Sequence, residues 1–218
     1  MRTLHSWHLD LQEATATQAA LRQRIVLTWD QREIDTVAGL DVHFTAERAR
    51  AAIVVMRHPG LELVEQVVAC AAVEFPYIPG FLAFREGPAL VGAWQRLECT
   101  PDLLMFDGHG IAHPCGLGVA SHMGLWFGRP SIGVAKARLV GRYMEPGRRR
   151  GEYSELVDEA GKVIGAVLRT REGVRPVFVS PGHLIDLDQA RRFVMDCCTR
   201  HRLPEPTRRA HMLASEGG

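Results

Sequence analysis

Three consecutive strand-like runs with short connections limit most strongly what this chain can fold into. Val37–Phe44, Ala51–Met56 and Val64–Val73 are rich in apolar and β-branched residues, and His58-Pro59-Gly60 reads as a hairpin turn between the last two. Strands joined this tightly pair antiparallel, so a meander opens the sheet. The pattern then changes. Leu82–Leu97 has helical spacing, Leu103–Phe106 is a short apolar strand, Leu117–Phe127 is helical and Ser131–Ala135 is another strand. Strand and helix in alternation favour parallel pairing. The prediction is an α/β chain with a mixed β-sheet flanked by helices.

The remaining elements are read the same way. A helix is expected from Ser6 to Ile25, with Leu11, Ala14, Leu21 and Ile25 on one face and Gln18 interrupting it. Residues 145–151, with Pro146, Gly147 and Arg148–Arg150, read as an exposed loop. Val163–Leu168 and Val177–Val179 are further strands. Asp186 and Gln189 resemble a capping box opening a helix over Leu187–Arg200, and Thr207–Ser215 reads as a short last helix followed by fraying at 216–218. No repeat or linker divides the chain, so one domain is expected over 1–218. Ribonuclease-H-like proteins share this outline, as do parts of other α/β folds.

Composition excludes several classes. An apolar fraction of 46% with a net charge of +1 excludes intrinsic disorder. The near balance of 26 basic against 25 acidic residues excludes a strongly basic nucleic-acid coat protein but not a nuclease, whose acidic metal ligands offset a basic face. Five cysteines without a CxxC pair fit neither a zinc ribbon nor a disulfide framework. Reduced thiols, no membrane-length apolar run and no signal-peptide core lead us to expect a cytoplasmic protein without membrane association. The lack of heptads leads us to expect a monomer.

Asp41 lies inside an apolar strand, Asp107 ends one, and Glu86 sits near the start of a helix. An acid within a strand pattern must face water, a cation or a donor, because burying it alone is costly. If Asp41 and Asp107 lie on neighbouring strands, their oxygens suit Mg²⁺, and such a site serves phosphodiester hydrolysis. On position alone, Asp107 before Gly108 reads more readily as a turn or cap residue than as a ligand. His109 and His113 have helical i,i+4 spacing, but Gly110 and Pro114 argue against a helix and hence against a zinc site. The 128–136 stretch departs from a Walker A loop, and Gly116-x-Gly118 lacks the third glycine of a dinucleotide fingerprint.

Val37-Ala-Gly-Leu-Asp41, Pro76–Pro88, Asp107–Pro114, Leu117–His122, Ile132–Lys136 and Arg202–Thr207 together resemble endonuclease V, in order and over nearly the whole chain. The resemblance implies a ribonuclease-H-like fold and a Mg²⁺-dependent repair nuclease, with Mn²⁺ as a substitute. It implies DNA carrying deoxyinosine as substrate, nicked at the second phosphodiester bond on the 3′ side. Asp41 and Asp107 match the family's metal-binding aspartates, Glu86 its third acidic residue, in the metal shell or orienting the water, and Lys136 a catalytic-site lysine. His211 matches a position tied to a second metal or a water. Tyr77, in Pro76-Tyr-Ile-Pro79, matches a wedge at the damaged base. Ile78, Pro79, Gly80, Leu82, Gly108 and Ser121 match the substrate-binding region, and His113 a phosphate or pocket position. Cys115-Gly116 departs from the family, which often carries a basic or polar residue there. Two rival readings are an inosine-specific ribonuclease and a non-cleaving inosine-binding protein. All three acids are present, which argues against the latter.

Overall fold

The computed structural model describes residues 3–45 and 48–216. The fraying expected of Gly217 and Gly218 falls outside them. The elements are α1 (Leu11–Arg22), β1 (Thr36–Phe44), β2 (Arg48–Arg57), β3 (Leu63–Ala72), α2 (Leu82–Trp94), β4 (Leu103–Phe106), α3 (Val119–Phe127), β5 (Ser131–Ala135), β6 (Tyr153–Val157), β7 (Val163–Leu168), β8 (Val177–His183), α4 (Leu187–Asp196) and α5 (Glu205–Ser215). The strands form an eight-stranded sheet in the order β3-β2-β1-β4-β5-β8-β7-β6. The predicted meander is present: β1, β2 and β3 pair antiparallel. β1–β4 and β4–β5 are parallel, as the alternation of strand and helix suggests. Beyond β5 the sheet returns to antiparallel pairing.

Side-chain alternation along the strands gives the sheet two apolar faces. Leu40, Ile53, Leu104 and Phe106 pack under α2 and α3. Val37, Val54, Leu103, Met105 and Val179 pack under α4 and α5.

Several boundaries differ from expectation. α1 starts at Leu11 rather than Ser6, because Asp10 caps it. The Asp10 side chain accepts from the Glu13 amide, and the Glu13 carboxylate accepts from the Asp10 amide. α4 ends at Asp196, four residues before the expected Arg200. β6 was not anticipated: it is an edge strand of mixed burial, with Leu156 inward, and it carries no apolar run. β8 continues to His183 through Pro181 and Gly182, residues that read as a strand end. Among the described residues no helix is long and apolar enough to cross a membrane.

Candidate metal centre and base-sized cavity

The register of β1 on β4 brings two acids together. Leu40 partners Phe106 across the parallel pair, and the Asp107 amide donates to the Leu40 carbonyl at 3.2 Å. Asp41 and Asp107 are each the next residue along, so they share the end of the sheet. Leu40 and Phe106 face α2 and α3, so the acids point toward α5.

Gly39 sets how close α5 comes. A Cβ there would lie 2.0 Å from the Pro206 carbonyl carbon and 2.4 Å from the Thr207 nitrogen. From that contact, two residues along the strand and four along the helix advance by similar distances, about 6.6 and 6 Å. Asp41 therefore meets His211, whose Nδ1 donates to Asp41 Oδ2 at 2.7 Å. Asp41, Asp107 and His211 offer ligand atoms all within 4.8 Å of one another. On the other flank, Lys136, just past β5, donates from Nζ to Asp107 Oδ2 at 2.5 Å.

Glu86 stands outside this three-donor group, which narrows the expectation that it joins Asp41 and Asp107 as a ligand. It is buried on α2 and approaches from the opposite face. Burial, then the negative charges of Asp41 and Asp107, push its carboxyl well above the usual range. Burial also raises Asp41, followed by the charge of Asp107, while His211 draws it back down. The centre thus concentrates negative charge that one ammonium and one imidazole only partly offset.

Beside the acids lies a cavity of about 200 Å³. Tyr77, Ile78, Pro79, Gly80 and Leu82 line one side, and Gly108, His109 and His113 the other. It is smaller than the roughly 300–1,000 Å³ usual for drug-sized ligands and suits one flat ring system. Gly108 follows Asp107 directly, so the cavity wall continues into the acidic centre. Phe75 and Phe81 stack beneath the Pro76–Gly80 stretch, and Tyr77 projects with 72% of its surface exposed. Gly80 takes a φ of +87°, and its carbonyl accepts from Gln18 Nε2 at 2.7 Å. The polar residue that interrupts the apolar face of α1 is therefore an anchor for the cavity wall. Burial lowers His113 to about 4, so its ring is neutral at pH 7.

Ser121 does not line the cavity. It is wholly buried in α3 with an unpartnered hydroxyl, because Val119–Phe127 is buried on every side. Residues 109–118 form no helix, so His109 and His113 do not share a helical face. His109 and Leu139 line the cavity but were not anticipated there; a histidine beside Gly108 was the available signal for the first. At the Cys115-Gly116 departure, Gly116 has a φ of +71°, and a Cβ would lie 2.8 Å from Arg22 Nε. A guanidinium from α1 thus occupies the space a side chain at 116 would take.

The Endonuclease V family profile matches residues 19–212. The chain belongs to the endonuclease V family. It is 50% identical over 211 residues to endonuclease V of Roseiflexus sp. strain RS-1, covering 97% of this chain and 95% of that protein. The crystal structure of endonuclease V from Streptomyces avermitilis superposes with a TM-score of 0.91 at 41% identity, covering 96% of this chain and 93% of that one. Ciona intestinalis endonuclease V, solved with a 24mer DNA containing an inosine followed by a ribo-adenosine, gives a TM-score of 0.83 at 26% identity, covering 94% and 95%. The mixed sheet with flanking helices is the ribonuclease-H-like fold of endonuclease V.

Proposed function

We propose that this endonuclease V hydrolyses inosine-containing DNA at the second phosphodiester bond 3′ to the lesion, leaving 3′-hydroxyl and 5′-phosphate ends. The observation that carries the reading is the adjacency of two unlike parts. A three-donor acidic centre sits at the end of the sheet, and a cavity for one base opens beside it through Gly108. Two carboxylates and an imidazole, with charge left uncompensated between Asp41 and Asp107, fit Mg²⁺ or Mn²⁺. A cation held by Asp41 and Asp107, with His211 as third donor, would supply positive charge at the scissile phosphate and lower the pKa of an attacking water.

The chain's own groups divide the remaining work. The Lys136 ammonium, held on Asp107, meets a non-bridging phosphate oxygen. Glu86, buried and holding its proton well above the usual range, gives and takes a hydrogen bond behind the acids and orients the water. Tyr77 fills the gap left in the stack when the lesion turns outward. Gly80 and Gly108, without a Cβ, let the base edge approach the backbone. Hypoxanthine presents an O6 acceptor and an N1–H donor, the reverse of adenine, so a backbone pair matched to it leaves adenine with unpaired groups.

The test is cleavage of end-labelled duplexes with Mg²⁺, one carrying a single deoxyinosine and one undamaged, beside Asp107→Ala. The expected result is a nick displaced to the 3′ side of inosine, absent with EDTA and reduced on the order of 10³-fold or more in the variant. Tight inosine-dependent binding without a nick would sink the DNA-nuclease reading. Inosine-containing RNA is the next substrate in that event.

A further inference from the structure

The acidic end of the sheet continues sideways into an arginine-rich edge. β8 runs antiparallel to β5, and β7 antiparallel to β8. Lys136 after β5, Arg175 before β8 and Arg171 after β7 therefore emerge at the same end, the end that carries Asp107. Arg202 ties this edge together: its guanidinium donates to the carbonyls of Lys136 at 2.8 Å and Pro176 at 2.7 Å. Arg171 Nη1 donates to the Arg200 carbonyl at 3.0 Å, and the Gly173 amide to the Arg148 carbonyl at 3.1 Å.

What marks this edge is the crowding of its arginines, few of which an acid offsets. Arg169 pairs with Glu145, and Arg208 and Arg209 both pair with Glu205. Among the described residues, Arg148, Arg171, Arg175, Arg200 and Arg202 have no carboxylate partner. Over 169–176 and 198–203 the chain has five arginines and a single acid, Glu172. Burial and then the like charge of Arg175 lower the Arg202 pKa, while Asp107 raises it. Arg202 thus bridges the acidic centre and the edge. Crowded cations without acids repel one another, an arrangement that a polyanion relieves.

Direction follows from placement. The cavity is walled by the stretch before α2 and the start of α3, on one face of the sheet. Arg200 and Arg202 follow α4, on the other face. The acids stand at the end of the sheet and point toward this second face.

We infer that this arginine edge holds the nucleic-acid backbone on the 3′ side of the scissile phosphate, the strand that leaves with the 5′-phosphate. The inference rests on the proposed function, in which the lesion occupies the cavity and the cut falls 3′ to it.

The experiment measures binding by fluorescence anisotropy in EDTA, where no cleavage occurs. Two inosine duplexes of equal length are used, one with most of its flank 3′ to the lesion and one with most of it 5′. The proteins are wild type, the Arg171→Ala/Arg175→Ala/Arg200→Ala triple variant, and Arg175→Glu alone, whose side chain donates no internal bond. The triple variant should lose on the order of tenfold or more in affinity on the 3′-flank duplex and little on the other. Its salt slope on that duplex should shrink by up to about three, since each phosphate contact contributes roughly 0.9. Arg175→Glu should move the same way. Equal loss on both duplexes, loss confined to the 5′ flank, or no loss in either variant would overturn the inference. Failure of the functional reading is seen separately, as a wild-type protein that does not nick inosine DNA with Mg²⁺.

Discussion

His211 and His122 each meet their partner at 2.7 Å, yet they belong to opposite kinds of site. His211 is half exposed and lies against the carboxylate of Asp41. His122 is wholly buried and meets His5 within a nest of Trp7, Phe84 and Trp126. Charge accumulates around the first. Burial, then His5, lowers the second to about 3, and burial lowers His5, so both rings are neutral at pH 7. The nest leaves His122 Nδ1 and Trp126 Nε1 without partners and relies on aromatic contact. α2 stands between the two sites. Glu86 faces the acids, and a Cβ on its neighbour Gly87 would lie 2.2 Å from Trp7. The difference teaches that hydrogen-bond length says little about a histidine's role. What surrounds the pair decides whether it can recruit a cation or only hold the chain.

Exchanging the losses breaks the comparison most directly. His211→Ala should reduce cleavage of the inosine duplex about 10- to 100-fold, the usual range for weakened support of a metal site, with little change in Tm. His122→Ala should do the reverse. A cavity among aromatics and an orphaned His5 should cost about 3 kcal/mol by denaturant unfolding, while cleavage well below Tm stays near normal. A large loss of cleavage in His122→Ala with an intact fold would show that the nest acts on the centre through α2.

Acid titration sharpens the same contrast. His122 titrates at about 3 when folded, against about 6.5 unfolded, so the unfolded chain takes up the proton first as pH falls. Its stabilisation is complete above pH 6.5 and is lost as pH drops from there toward 3. His113 and His183, both lowered to about 4 mainly by burial, act in the same direction. Asp41 and Glu86 act oppositely. Their pKa values are raised, so the folded state keeps their protons longer, and their contribution is present in acid and fades as pH rises through the folded values. Unfolding free energy of the metal-free protein should therefore fall below pH 6.5. His122→Phe should flatten that fall by up to about 1.4 kcal/mol per pH unit. Asp41→Asn should steepen the low-pH limb instead. An unchanged slope in His122→Phe would mean that the nest opens to water before it titrates.

The acids were legible because an Asp breaking an apolar strand has few inexpensive explanations, and strand–helix alternation implied the parallel register that joins them. The third donor, His211, was named through the family resemblance alone and not from the residue pattern. His211 reaches Asp41 only because Gly39 admits α5 from the far end of the chain, and spacing carries no record of that contact. Glu86 shows the converse. Its sequence signal equals that of the aspartates, but its helix lies on the other face, so it influences their charge without joining their group. β6 escaped because an edge strand needs no apolar run, and Ser121, placed at the site by resemblance alone, lies inside the fully buried α3.

Gln18 is where a defect in the sequence pattern carried usable information. It is buried on α1, in the place an apolar residue would be expected, and its amide donates to the Gly80 carbonyl. Gln18→Leu keeps the helix and the packing volume but leaves that carbonyl without its partner. The stability cost should be about 1 kcal/mol, the ordinary price of one such bond. The larger consequence should fall on recognition, because Gly80, in its left-handed turn, is itself part of the cavity wall. Affinity for the inosine duplex should fall a few-fold relative to undamaged DNA, less than the roughly 10- to 100-fold loss of cleavage in His211→Ala. Equal weakening on both duplexes would show that the anchor supports the fold and not the base-sized cavity.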